Sequence, residues 1–133
     1  MRQIETTTAV ILKMLMNKDV FSRAEAEENL NGACKGILGV DYGFIKSLPV
    51  ETVSAMLSFN ADIDINKFFA VAKLFELDSM ITEDEASKNN LKEKSIYFYN
   101  IVLSEMETLA IDNVEMKQEI IKSLTSLSEA QSN

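Results

Sequence analysis

The side chains that could carry out chemistry in this chain are few, because it contains no histidine and only one cysteine. Histidine is the usual proton shuttle near neutral pH and the commonest metal ligand in proteins. Its absence excludes Ser-His-Asp triads and most zinc sites. We therefore expect no catalytic residue, no resident metal and no cofactor, and no interior group equipped to move protons or hold an ion.

One carboxylate motif, Asp62-x-Asp64-x-Asn66, resembles the opening of a calcium-binding loop. Such a loop needs glycine at its sixth position and a bidentate glutamate at its twelfth. Those positions are held here by Lys67 and Lys73. We interpret the carboxylates instead as the start of a helix, where negative charge is stabilised by the helix dipole.

A second group of acids crowds ten residues, and it is predicted to form a solvated turn between two helices, with a weak magnesium or basic-partner site as the alternative. Its members are Glu76, Asp78, Glu83, Asp84 and Glu85.

Cys34 lies on the apolar stripe of a predicted helix, so we expect it to pack in the core. A reactive thiolate would need a nearby cation, and Lys35 points about 100° away around the helix.

Composition predicts one helical domain spanning residues 1–133. The chain has 47% apolar residues, four glycines and one proline, fewer turn residues than sheets need. The alternative division is an N-terminal arm over residues 1–39, hinged near Gly43 to a core over 40–133.

The net charge of −8 argues against nucleic acid and anionic membranes as partners. The lone cysteine and the absence of a signal-peptide pattern predict a cytoplasmic protein.

Apolar residues recur at helical spacing along most of the chain, which predicts an all-α bundle or array of five to seven helices. Local signals mark the helix ends. The first helix is expected over about 3–17, and the second is capped by Ser22 and stopped by Gly39. One helical turn is expected within 40–48, followed by a short helix opened by Pro49 and a longer one over about 64–80. A long helix should run from the capping-box pattern Thr82-x-x-Glu85 to about Ala110, and Asn113 should cap the last helix.

The centre of the chain resembles a tetratricopeptide helix pair. Phe68-x-x-Val71-Ala72-x-x-Phe75 is similar to the first helix of that unit, and Ser95, Tyr99 and Val102 are similar to the second. Ala72 and Ser95 are 23 residues apart, longer than in the compact unit, and no second copy follows.

The wider stretch from Lys46-Ser47-Leu48-Pro49 through Met56-Leu57 and from Lys67 to Leu77 also resembles an uncharacterised family of small bacterial helical proteins, a domain of unknown function. That resemblance implies a helical fold and a bacterial cytosolic setting. It supplies no activity.

These observations favour a non-enzymatic protein–protein interaction module, because a helix pair offers a face on which a partner protein or peptide can lie. Helical position places Phe69, Asn90, Lys94 and Tyr97 at the border of such a face. The alternative is a structural homodimer that buries surplus apolar surface, and a third hypothesis is an enzyme that uses carboxylates, lysine or tyrosine.

Overall fold

The computed structural model describes residues 23–58 and 62–132, with side chains described over 27–58 and 62–128. These residues form an all-α array of six helices, as the sequence predicts. The helices are α1 (Arg23–Leu38), α2 (Tyr42–Ser47), α3 (Val50–Leu57), α4 (Ile65–Ile81), α5 (Glu85–Thr108) and α6 (Val114–Ser132). The predicted helix over 3–17 and the predicted cap at Ser22 lie outside the described residues.

Helix α4 is the centre of the fold, because it is apolar on nearly all sides and every residue from Phe68 to Ser79 is buried. A helix that is hydrophobic all round must be surrounded by other elements. Its main neighbour is α5, and α1 packs on it next. The Ser95 hydroxyl donates to the Ala72 carbonyl oxygen at 2.8 Å, so the two small residues of the predicted pair do mark the close approach of α4 and α5.

The turn between α4 and α5 differs from the predicted capping box. Asp84 caps α5, since its side chain accepts a hydrogen bond from the Ser87 backbone N–H at 2.9 Å. Thr82 instead ends α4, and its hydroxyl donates to the Asp78 carbonyl oxygen at 2.7 Å. The prediction was wrong by two residues, because the Thr82 hydroxyl donates back to the preceding helix and the role of accepting from the first turn of α5 falls to Asp84.

Other helix ends follow the predicted signals closely. Gly39 stops α1 at φ +77°, a conformation that glycine adopts without steric cost. Asn113 caps α6 by accepting from the Met116 N–H at 3.1 Å. Pro49 was expected in the first turn of α3, and the structure places it one residue earlier, at the N-cap position.

Helix α6 folds back along α5 after a short connection over residues 109–113. The reversal is made by Ala110 at φ +54°, the one non-glycine residue with positive φ among those the structure describes. Ile120, Ser123 and Leu127 of α6 face inward and are buried. This packing places α6 against α5 and over the buried Lys73 of α4.

Candidate functional site

Three charged side chains of the central helix lie inside the fold: Lys73, Glu76 and Asp78 are 0%, 4% and 4% exposed. The prediction that Glu76 and Asp78 belong to a solvated turn was wrong, because both lie within the central helix and face its neighbours, and only Glu83, Asp84 and Glu85 of that acidic group are exposed. A buried charge is costly unless it is paired and hydrogen-bonded. Each of these three side chains is therefore described by the ion pairs and hydrogen bonds that compensate for its burial.

Lys73 lies at the centre of a polar cluster between α4, α5 and α6. Its Nζ is 2.6 Å from Glu119 Oε1 and donates to Ser123 Oγ at 3.2 Å, both on α6. The same ammonium lies 3.6 Å from Glu76 Oε1 and 5.7 Å from the ring centroids of Phe69 and Tyr99. One cation thus joins three helices through ion pairs and ring contacts.

Tyr99 completes this cluster by donating its hydroxyl hydrogen to Glu76 Oε1 at 2.6 Å. Burial, followed by the negative charge of Glu76, raises the pKa of Tyr99 well above its ordinary value. The phenol therefore stays protonated and acts as a hydrogen-bond donor. Nζ of Lys73 likewise donates to oxygen atoms of Glu119 and Ser123.

Asp78 forms a second polar cluster in the last turn of α4. Its Oδ2 accepts from the Tyr42 hydroxyl at 2.6 Å and pairs with Lys46 Nζ at 3.0 Å, while Oδ1 accepts from the Thr82 hydroxyl at 3.1 Å. Burial and the Asp78 charge raise the pKa of Tyr42 far above its ordinary value. These contacts fasten the short helix α2 to the central helix.

A pocket of about 300 Å³ opens between α2 and the first half of α5. Two lysines, Lys46 and Lys94, line it together with the polar side chains of Ser87 and Asn90. Nζ of Lys94 donates to the Lys46 carbonyl oxygen at 2.8 Å and lies 5.6 Å from the Phe75 ring centroid. Partial burial, and then the nearby charge of Lys46, lower the pKa of Lys94. The walls of this pocket suit a negatively charged group.

A wider groove of about 610 Å³ lies on the opposite side of Lys46, between α1, α2 and the end of α4. Carboxylates dominate its walls, with Lys46 as the single cation among its lining residues; the acids are Glu27, Glu28, Asp41 and Asp78. Lys46 therefore separates a basic pocket from an acidic groove, and its pairing with Asp78 fixes that boundary.

The four residues predicted to border a partner face are divided by the fold. Asn90 and Lys94 line the lysine pocket together. Tyr97 is half-buried, and its ring packs edge-on against Phe98 at 5.2 Å. Phe69 is only 3% exposed and contacts Tyr99 and the Lys73 ammonium under α6. Phe69 thus belongs to the interior, away from the pocket that holds Asn90 and Lys94.

Sequence reasoning missed Lys46 at the pocket and Lys73 in the interior. Lys46 comes next to α5 only through tertiary packing, since it precedes Lys94 by 48 residues. Lys73 had a usable signal, because a charged residue within a helix that is apolar on all sides must be buried with a partner.

Other chemical candidates have an ordinary structural place. Cys34 is fully buried in α1, and burial together with the Asp41 charge raises the pKa of its thiol to about 11. Asp64, from the calcium-like motif, caps α4 by accepting from the Lys67 N–H at 3.2 Å. Within residues 23–58 and 62–132 no three Cys, Asp or Glu side chains are grouped as a metal site.

Comparison of the chain with protein-family models, with curated proteins and with solved structures finds no match. None of the helices in the described part of the chain is both long enough and apolar enough to span a membrane.

Proposed function

We propose that this protein is a non-catalytic, cytoplasmic protein–protein interaction module that binds an acidic segment of a partner in the pocket between α2 and α5. The observation that carries the proposal is the placement of Lys94, whose ammonium is held at the pocket by the Lys46 carbonyl oxygen. An ammonium has three donors. The remaining donors are available to a carboxylate of the partner.

The electrostatics of the pocket support a carboxylate as the group it takes. Partial burial, and then the like charge of the neighbouring Lys46, lower the pKa of Lys94 and so disfavour its ammonium form. A partner carboxylate would remove this cost by pairing with the ammonium. Asn90 and Ser87 add an amide and a hydroxyl that can complete its hydrogen bonds.

The size of the pocket supports a partner side chain over a small-molecule substrate. Small-molecule sites usually occupy about 300–1,000 Å³ and enclose most of the ligand. This pocket lies at the low end of that range, at about 300 Å³. A surface of this kind fits one or two side chains of a longer peptide, with the affinity supplied by contacts on either side.

The test is affinity capture of partners from native cell extract with the wild-type chain and with Lys94→Glu as baits. Charge reversal places a carboxylate where the partner's carboxylate would bind, so we expect a loss of about tenfold or more in partner affinity. Lys122→Glu makes the same charge change on the exposed side of α6 and is the matched control.

The proposal predicts that the captured partner is retained by Lys122→Glu and lost by Lys94→Glu, and that raised salt weakens its binding. Equal binding of one partner by wild type and Lys94→Glu would show that the pocket is not the binding site. Circular dichroism of each bait establishes that the variants are folded.

A further inference from the structure

The polar cluster under α6 consists of two parts that belong to different elements. Lys73, Glu76 and Tyr99 lie on α4 and α5, whereas Glu119 and Ser123 lie on α6. Lys73 Nζ joins the parts, at 2.6 Å from Glu119 Oε1 and 3.2 Å from Ser123 Oγ. Helix α6 packs mainly on α5, and its contact with the central helix includes this buried ammonium.

The part on α4 and α5 also has internal contacts that do not involve α6. Lys73 Nζ lies 3.6 Å from Glu76 Oε1, and the Tyr99 hydroxyl donates to the same oxygen at 2.6 Å. Water can solvate the exposed ammonium, so opening costs less than exposing a purely apolar face of equal area. On α6 the groups that this face binds are a carboxylate and a hydroxyl one helical turn apart, Glu119 and Ser123.

The connection that folds α6 back is strained and contains no helix breaker. Ala110 holds φ +54°, a conformation that costs a residue with a Cβ atom free energy. From Glu85 to Ser132 the sequence has neither glycine nor proline. Residues 109–113 can therefore become helical and join α5 to α6, which relieves the strain at Ala110 and carries α6 away from its own α4.

We propose that α6 is exchanged between two copies of this chain, so that Glu119 and Ser123 of one copy bind Lys73 of the other. A second copy of the chain has the same α6 and therefore supplies the required carboxylate and hydroxyl. Short strained hinges favour exchange of this kind. Leu109 and Val114, both 55% exposed, flank the hinge. In the exchanged dimer the two hinges meet, and these apolar side chains bury one another. This proposal is independent of the lysine pocket.

The first experiment alters the hinge and measures molar mass by light scattering from micromolar to millimolar concentration, after refolding at high concentration to allow exchange. Ala110→Gly removes the strain of the closed turn and disfavours a continuous helix, so the dimer association constant should fall by about tenfold or more. Ala86→Gly, at an exposed position near the start of α5, is the matched control and should leave the constant unchanged.

The second experiment identifies the contact that is exchanged. Lys73→Glu and Glu119→Lys each place like charges opposite one another in the closed chain. Exchange of α6 between the two variants pairs opposite charges at both sites, whereas the closed chain and the homodimer of each variant keep the like-charge pair. In an equimolar mixture the heterodimer should therefore form in preference to either homodimer. Light scattering with one copy carrying a mass tag separates these species, and circular dichroism reports whether each variant folds.

Three results would overturn the proposal. The wild type remains a monomer at millimolar concentration after refolding, a wild-type dimer is unaffected by Ala110→Gly, or the folded charge variants fail to form a heterodimer. If Lys73→Glu does not fold, the hinge variants alone decide the outcome, because Ala110→Gly relieves strain and leaves the interior untouched.

Discussion

Replacing Lys73 with methionine removes the one buried cation of the α4–α6 interface and keeps a straight side chain in its place. Methionine retains most of the packing of the lysine stem. Glu76, which is 4% exposed, and Glu119 then lose the ammonium that they share. The variant therefore measures what the buried charge contributes to the stability of the fold.

The magnitude follows from the burial of the two carboxylates. Removing one partner of a fully buried ion pair costs about 3–5 kcal/mol. Part of this is recovered here, because the Glu119 side chain is 35% exposed and Glu76 keeps its hydrogen bond from Tyr99. We expect Lys73→Met to lower the free energy of unfolding by about 2–4 kcal/mol at neutral pH.

Urea denaturation followed by circular dichroism gives this free energy. Lys122→Met makes the same chemical change at an exposed position of α6 and should alter stability by no more than about 0.5 kcal/mol. Glu119→Gln should cost about 1 kcal/mol, and the double variant should cost less than the sum of the singles because the two side chains are in contact.

A loss below about 1 kcal/mol in Lys73→Met, or a gain in stability, would refute this reasoning. Such a result would mean that the ammonium is solvated in the folded protein and that α6 is held by its apolar side chains alone. Strict additivity of Lys73→Met and Glu119→Gln would contradict the 2.6 Å ion pair specifically.

Three further predictions follow from the remaining buried and capping groups. Burial raises the pKa values of Tyr42 and Tyr99, so each protonated phenol contributes its full stabilisation of the fold below the ordinary pKa of 10.0, and this stabilisation is lost as the pH rises above it. Tyrosinate absorbance at alkaline pH should therefore appear for both residues only as the protein unfolds. Cys34, with its buried thiol and a pKa of about 11, should react with a thiol reagent at least about 100-fold more slowly in the native protein than in urea. Asp84→Ala should lower the melting temperature relative to wild type above pH 3.8, the ordinary pKa of the carboxyl. The difference in melting temperature should vanish as the pH falls through the lowered pKa of the folded state. An equal decrease in melting temperature at every pH would contradict the role of the Asp84 carboxylate as the cap.

The helices themselves could be predicted because their signals lie within one or two turns of chain. The apolar spacing of α4 placed it within one residue at each end, and Asn113 and Gly39 mark helix ends by side-chain and backbone properties of their own. The capping box was wrong because the Thr82 hydroxyl can either accept from an N–H of the following helix or donate to a carbonyl oxygen of the preceding one, and the sequence does not show which partner it meets. Half of the predicted partner residues, Asn90 and Lys94, share one pocket because they are four residues apart on one helix.

By itself the sequence determined the helical class, the positions of the described helices and the exclusion of histidine chemistry, since periodicity and composition act locally along the chain. Tertiary structure alone decided that Lys73 meets Glu119 across 46 residues and that Lys46 reaches Lys94 across 48. Contacts of that separation depend on how helices cross and on which side chains share a face, and no pattern within a single helix specifies them. The charged interior and the lysine pocket were therefore invisible until the helices were packed together.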